Sequence, residues 1–162
     1  MSRIVIVILV LASVSAVWAL QGNSKTAPDE QQQAIEQAIL SVQADMQKAA
    51  GNLDAESLFR YVLDTNKGPI IEGGRLLLTR QEALDSTKRG FQGLKHIAYT
   101  YNQKYISVIS PTTALWVADG NATATLEDGR EITAPFAETI IFVQRDGQWK
   151  VLHAHRSAPA QR

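Results

Sequence analysis

Cysteine is absent from the 162 residues of this chain. The absence excludes disulfides, thiolate metal sites, a cysteine nucleophile and the lipid attachment of a lipoprotein. Neither sign of charge is in excess, with 16 basic and 16 acidic side chains, so nothing directs the chain to nucleic acid. The sequence also lacks a glycine-rich phosphate loop and a Ser-His-Asp order, and it predicts no cofactor.

One long hydrophobic run lies at the N-terminus. Arg3 precedes an apolar stretch over residues 4–11, and small residues follow it. This pattern predicts a signal peptide over residues 1–19 with cleavage after Ala19, or alternatively after Ala16. An uncleaved membrane anchor is the alternative, because the apolar stretch approaches the minimum length of a span. An exported chain without cysteine is typical of the bacterial periplasm, so we expect a periplasmic or secreted protein.

A polar segment over residues 20–28 predicts a disordered leader, which leaves one domain over residues 29–159. Apolar residues then recur at spacings of three and four, which predicts a long first helix that ends at Gly51 and Asn52. The members of this stripe are Ile35, Ile39, Val42, Met46 and Ala49.

Two shorter helices and an interrupted strand follow. Asp54 can cap a second helix that stops before Asn66, and residues 70–78 predict the strand. Thr79 and Glu82 have the spacing of a capping box, which predicts the start of a third helix.

From residue 97 onward the hydrophobic pattern alternates. It predicts strands over residues 97–109, 114–126, 132–144 and 149–157, with turn residues between them. Three helices followed by a four-strand meander predict an α+β fold, in which a curved antiparallel sheet wraps around the long first helix.

The last predicted strand carries the motif D-G-Q-W-K-V-L-H-A-H-R-S over residues 146–157. This motif and the order of elements resemble the nuclear transport factor 2-like superfamily, which includes SnoaL-like proteins, ketosteroid isomerases and the association domain of calcium/calmodulin-dependent protein kinase. The resemblance covers residues 30–159. It implies a conical fold, a cavity between the first helix and the sheet, and a homodimer or larger ring formed through the sheet's other face. Fold likeness does not assign a reaction, because the superfamily also contains binding and assembly modules.

Glu138 lies among apolar residues of the third predicted strand of the meander, where an unpaired charge is costly to bury. A two-residue hairpin at residues 146–147 would set Glu138 opposite His155. A three-residue loop would set it opposite Ala154, with Arg156 diagonal to it. The arginine that corresponds to Arg156 in the kinase association domain lines a pocket for small anions, so the resemblance implies that Arg156 faces the cavity. A structural ion pair between Glu138 and Arg156 is the alternative.

Three further residues are candidates for the chemistry of a cavity. Glu72 lies where ketosteroid isomerases carry their general base, so the resemblance makes it a catalytic candidate beside Glu138. An exposed strand carboxylate is the alternative for Glu72. Tyr99 and Tyr101 share a strand face and could donate hydrogen bonds to a ligand carbonyl, or could simply pack in the core or at an interface.

His153 and His155 also share a strand face. Two imidazoles on one face could bind a metal if a carboxylate joined them, whereas packing or hydrogen bonding at a subunit interface is the alternative. No third ligand is visible in the sequence, so we predict no metal and retain both histidines as ligand-binding candidates.

These residues favour an exported protein that binds a small apolar or weakly acidic ligand in a cavity edged by Glu138 and Arg156, without turnover. The alternatives are a cofactor-free isomerase, dehydratase or cyclase with Glu72 or Glu138 as base, and a dimerisation or assembly module. Catalysis needs a free base beside an oxyanion donor, whereas binding needs shape and one polar anchor. We expect Arg156→Ala to weaken binding of an acidic ligand without unfolding the domain.

Overall fold

The computed structural model describes residues 26–158, with side chains from residue 29 onward. The predicted signal peptide, both cleavage positions and residues 20–25 of the predicted leader lie outside the described residues. Across the described part of the chain, no helix has the length and apolar character needed to span a bilayer.

The first helix, α1, runs over Thr26–Gly51 and ends where the sequence predicted. It begins three residues before the predicted domain start, so residues 26–28 are helical. Ile35 and Ile39 are buried, which places the predicted apolar stripe of α1 against the sheet.

The second helix, α2, spans only Ala55–Phe59 and is shorter than predicted. The Asp54 side chain caps it by accepting a hydrogen bond from Ser57 N at 2.9 Å. Beyond α2 the backbone pairs with the last strand, where Val151 N donates to Tyr61 O at 2.7 Å. These hydrogen bonds to the last strand take the place of further helical hydrogen bonds. A helix this short has little stability of its own, so the tertiary pairing is preferred.

The third helix, α3, runs over Arg80–Gly90 and begins at the predicted capping box. The Thr79 side chain accepts from Glu82 N, and the Glu82 side chain accepts from Thr79 N, both at 3.1 Å. Ala83 and Leu84 of α3 are buried against α2.

One sheet of six strands completes the fold, in the order β2-β1-β6-β5-β4-β3. Neighbouring strands are antiparallel except β1 and β6, which are parallel. The predicted α+β class is confirmed, with a curved, unclosed sheet around the long helix. The strands are β1 Ile70–Glu72, β2 Arg75–Leu77, β3 Leu94–Ser110, β4 Thr113–Leu126, β5 Glu131–Arg145 and β6 Gln148–Ser157.

The predicted strand over residues 70–78 is in fact the hairpin of β1 and β2. Gly73 and Gly74 form its turn with φ of 57° and 72°, a left-handed conformation that glycine adopts without strain.

The main core lies between α1 and the inner face of the sheet, defined as the face that bears Trp116 and Phe142. The largest fully buried side chains belong to this layer: Trp116, Phe142, Ile39 and Val151. The opposite face of β3 to β6 is called the outer face below.

The register of the last hairpin differs from both predicted alternatives. Its turn has two residues, because Arg145 pairs with Gln148, but a β-bulge on β6 then leaves Leu152 as an extra residue. The bulge shifts the register by one position and sets Glu138 directly opposite Arg156. Both predicted registers are therefore wrong, because each assumed an uninterrupted ladder.

Candidate functional site

Glu138 is the centre of a buried polar cluster on the inner face, with only 4% of its surface exposed. Its Oε1 accepts hydrogen bonds from the Tyr101 hydroxyl and from Trp116 Nε1, each at 3.0 Å. Its Oε2 accepts from Arg156 Nη2 at 2.7 Å and from Arg156 Nε at 3.2 Å. A carboxylate offers about four lone-pair positions, so these four donors saturate Glu138.

Gly120 allows Tyr101 to reach this cluster. Gly120 of β4 is the partner of Tyr101 on β3, and a side chain there would overlap the carbonyl oxygen of Thr100. Without a side chain in the way, the Tyr101 ring crosses β4 and contacts Phe136 of β5 edge-on, with 5.6 Å between ring centroids. The close approach of β3 and β4 therefore places the phenol hydroxyl against Glu138.

Two aromatic rings hold the Arg156 guanidinium. Its central carbon lies 4.9 Å from the centroid of Tyr99 and 5.1 Å from that of Phe136, which are cation–π distances. Arg156 Nη1 also donates to the Tyr99 hydroxyl oxygen at 3.2 Å. The side chain keeps 34% of its surface exposed, so the cation bridges the buried carboxylate and the solvent side of the site.

Burial and the Glu138 carboxylate raise the pKa of Tyr101 above its ordinary value of 10.0, because both disfavour a phenolate. Burial alone would lower the pKa of Arg156, but the Tyr99 hydroxyl and Glu138 outweigh it and raise that pKa above its ordinary value. At neutral pH the Tyr101 phenol therefore keeps its proton and Arg156 keeps its charge.

The raised pKa of Tyr101 predicts a loss of stability in alkali. Above pH 10 the unfolded chain releases the phenolic proton while the folded chain keeps it, so the free energy of unfolding falls by about 1.4 kcal/mol per pH unit from this group. Urea denaturation at pH 9, 10 and 11 measures the slope. Tyr101→Phe should be less stable than the wild type at pH 9 and should lack this part of the slope. Parallel curves for the two proteins would contradict the prediction.

A pocket of about 120 Å³ lies beside the cluster, between α1 and the inner face. Its lining is mainly apolar. Its polar side chains include Gln43 of α1, Tyr99 of β3 and Arg156 of β6. The apolar lining consists of Met46, Ala50, Leu58, Phe59, Val62, Ile70, Ile71, Ile140, Val151 and Ala154.

The pocket continues into a wider opening of about 390 Å³ that is bordered by α3 and the turn between β1 and β2. Leu58, Glu72, Thr87, Tyr99 and Arg156 line both spaces, so they form the boundary between them. This wider space gives the inner pocket a route to solvent.

Glu72, the first predicted base, lies at this boundary and is exposed. Its partner in the parallel pairing of β1 and β6 is Arg156. The structure therefore brings Glu72, Glu138, Arg156, Tyr99 and Tyr101 to one end of the pocket, with Glu138 buried and Glu72 at the opening.

The two predicted histidines lie on the other face of the sheet. His153 and His155 pair with Ile141 and Thr139 on β5, and strand alternation puts them on the outer face. His153 Nδ1 donates to the carbonyl oxygen of Pro69, whereas His155 is exposed and also contributes to the pocket lining. Among the side chains of residues 29–158, no three histidine or acidic groups are grouped as metal ligands would be.

Sequence reasoning missed two polar partners. Gln43 is 3% exposed and lines the pocket. The signal was its spacing, four residues after Ile39 and three before Met46, which places it on the apolar stripe. Trp116 is buried, and a buried indole N–H needs an acceptor, which Glu138 supplies.

The family model of the SnoaL-like domain matches residues 39–161. No curated protein matches the chain at a significant level.

Several solved structures share the fold. A proposed scytalone dehydratase from Novosphingobium aromaticivorans is 13% identical, with a TM-score of 0.73 over 82% of this chain and 89% of that one. A nuclear transport factor 2-like superfamily protein from Salmonella enterica serovar Typhimurium is 14% identical, with a TM-score of 0.70 over 80% of this chain and 94% of that one. A hexachlorocyclohexane dehydrochlorinase is 17% identical, with a TM-score of 0.67 over 82% and 90%. At these identities the likeness establishes the conical fold and no activity.

Proposed function

Because this chain belongs to the SnoaL-like domain family, within the nuclear transport factor 2-like superfamily that its sequence resembles, we propose that it is an exported protein that binds a small molecule in its inner pocket without converting it. One observation carries the proposal: all four acceptor positions of the buried Glu138 carboxylate are occupied. The pocket beside it combines ten apolar lining residues with polar side chains, as small-molecule sites do.

Glu138 is poorly suited to act as a base. A general base needs a free lone pair within about 3 Å of the proton that it removes. Each Glu138 oxygen already accepts two hydrogen bonds, and proton transfer to it would break its ion pair with Arg156 at 4% exposure. The carboxylate instead holds Arg156 and Tyr101 in fixed positions at the end of the pocket.

Elimination or isomerisation with Glu72 as base is the second candidate function. Glu72 lies at the pocket boundary, and its backbone pairs with Arg156, a cation that could stabilise an enolate. The similarity to a proposed dehydratase and to a dehydrochlorinase supports this alternative. Glu72 is exposed, however, so water competes with a substrate for its carboxylate.

Filling the pocket should abolish binding. Ala154 lines the pocket, and Ala154→Met would place three further heavy atoms in a space of about 120 Å³. Saturation-transfer NMR with cyclohexanone, a ring of suitable size, should give a signal with the wild type and none with Ala154→Met. Ala98→Met is the matched control, because Ala98 is an exposed alanine on β3. Equal signals for wild type and Ala154→Met would remove the pocket from the proposal.

Dimerisation through the outer face is part of the proposal. Tyr105 of β3 and Val117 of β4 pair across the ladder and keep 61% and 39% of their surfaces exposed. Leu115 and Ile141, a second cross-strand pair, adjoin them, and we call these four residues the outer patch. A contiguous apolar patch on an otherwise polar sheet face supports a second copy as its partner.

Export rests on the N-terminal pattern alone. The intact mass of the protein from its host should correspond to a chain that begins after Ala19, or after Ala16. A mass that retains Arg3 would contradict cleavage.

A further inference from the structure

The amide of Gln43 is buried without a hydrogen-bond partner. Gln43 is 3% exposed, and its Nε2 is the one buried side-chain polar atom in residues 29–158 that lacks a partner. Buried polar groups are nearly always satisfied in folded proteins, because an unsatisfied donor loses its hydration and gains nothing in return. Gln43 lines the inner pocket, so a ligand is the available source of the missing acceptor.

Two other polar groups beside Glu138 also donate. The Tyr99 hydroxyl oxygen accepts from Arg156, which leaves its own proton free to donate. Three N–H groups of Arg156 are used by Glu138 and Tyr99, so two of its five remain. Gln43, Tyr99 and Arg156 therefore offer donors to a ligand that carries an acceptor.

The charges of the lining disfavour an anion. Arg156 and Glu138 neutralise each other in an ion pair of 2.7 Å. Glu72 adds a negative charge at the pocket boundary, and Arg75, its partner across the hairpin of β1 and β2, adds a positive charge in the wider opening. The inner pocket itself has Arg156 as its cation, which is already paired with Glu138, so a carboxylate would lose its hydration there without gaining an unpaired counter-ion.

We infer that the pocket binds an uncharged molecule of about one ring that carries a carbonyl or ether oxygen, and that Gln43 Nε2 donates the anchoring hydrogen bond. The Tyr99 hydroxyl is a second donor in the same pocket. This inference rests on the proposed function and replaces the weakly acidic ligand that the sequence suggested with a neutral acceptor. Gln43 is thus a specificity-determining residue of the site.

Three ring compounds of similar size distinguish the ligand chemistries. Cyclohexanone carries the acceptor, methylenecyclohexane has the same shape without it, and cyclohexanecarboxylate is the anion. In NMR titrations of the protein purified from its host, we expect cyclohexanone to bind about tenfold more tightly than methylenecyclohexane, and the carboxylate to bind most weakly. Gln43→Met should reduce the tenfold preference to about one while the hydrocarbon still binds. The matched control is Gln37→Met, an exposed position on the same helix, which should leave the preference unchanged.

Thermal denaturation of the empty protein gives a second readout that needs no ligand. Gln43→Met removes an unsatisfied buried amide, so its Tm should rise by about 2–4 °C, whereas a glutamine that supported the fold would give a fall.

Several results would overturn the inference and leave the proposed function standing. These are equal binding of ketone and hydrocarbon, tightest binding of the carboxylate, an undiminished ketone preference in Gln43→Met, or a fall in Tm. Binding of none of the three compounds would overturn the proposed function itself.

Discussion

Glu138→Leu lowers the free energy of unfolding by about 3–5 kcal/mol, mainly because two buried donors lose their acceptor at about 1–3 kcal/mol each. The substitution leaves the Arg156 guanidinium without its counter-ion and leaves the Tyr101 hydroxyl and Trp116 Nε1 without their acceptor. Urea denaturation at pH 7 measures the loss.

The double variant Glu138→Leu/Arg156→Met should recover only the part of this loss that comes from the unpaired guanidinium, because the Tyr101 hydroxyl and Trp116 Nε1 still lack an acceptor. The same argument corrects the expectation for Arg156→Ala. Removing Arg156 leaves a carboxylate that is 4% exposed without its cation, so the domain should be destabilised as well as altered in binding. If the two side chains are coupled, the loss of unfolding free energy in the double variant is smaller than the sum of the losses in Glu138→Leu and Arg156→Met. A loss equal to that sum would contradict the coupling.

Val117→Lys converts the proposed dimer into a monomer at micromolar concentration. The substitution would bury an ammonium group in the outer patch between its cross-strand neighbours Tyr105 and Thr139, neither of which carries a negative charge, and a cost of about 3 kcal/mol weakens association more than a hundredfold. Sedimentation equilibrium measures the change.

Ile132→Lys is the matched control for this variant. Ile132 of β5 is 48% exposed but lies seven residues before Thr139, the partner of Val117, so strand alternation places it on the opposite face. It should leave the dimer intact. A monomeric wild type, or a dimer that survives Val117→Lys, would contradict the proposed interface.

The fold follows from the sequence because its signals are local. The apolar stripe on α1, the capping box at Thr79 and the two-residue turn at residues 146–147 each act within a few residues of chain. The length of α2 was predicted poorly, because pairing of Val62 with Val151 is a long-range competitor that no local pattern reveals.

The candidate site was only partly predictable for the same reason. The sequence showed that Glu138 needs a partner, since a charge among apolar residues has to be compensated. Arg156 is the partner of Glu138 because the bulge at Leu152 shifts the pairing of β5 and β6 by one position. No glycine or other local sequence signal marks this bulge. The role of Tyr101 depends on Gly120 in the neighbouring strand. Tertiary registers of this kind decide which polar groups meet.

Binding without turnover is most directly tested by hydrogen exchange of a bound ketone. Cyclohexanone in D₂O exchanges its α-protons when a base removes them, so its ¹H spectrum reports catalysis, while saturation transfer in the same sample reports binding. The account predicts that cyclohexanone binds and that its α-protons exchange at the rate of buffer alone, because the Glu138 carboxylate is saturated by its four hydrogen bonds. Faster exchange with the protein, lost in Glu72→Gln or Glu138→Gln, would contradict it and establish a catalytic base.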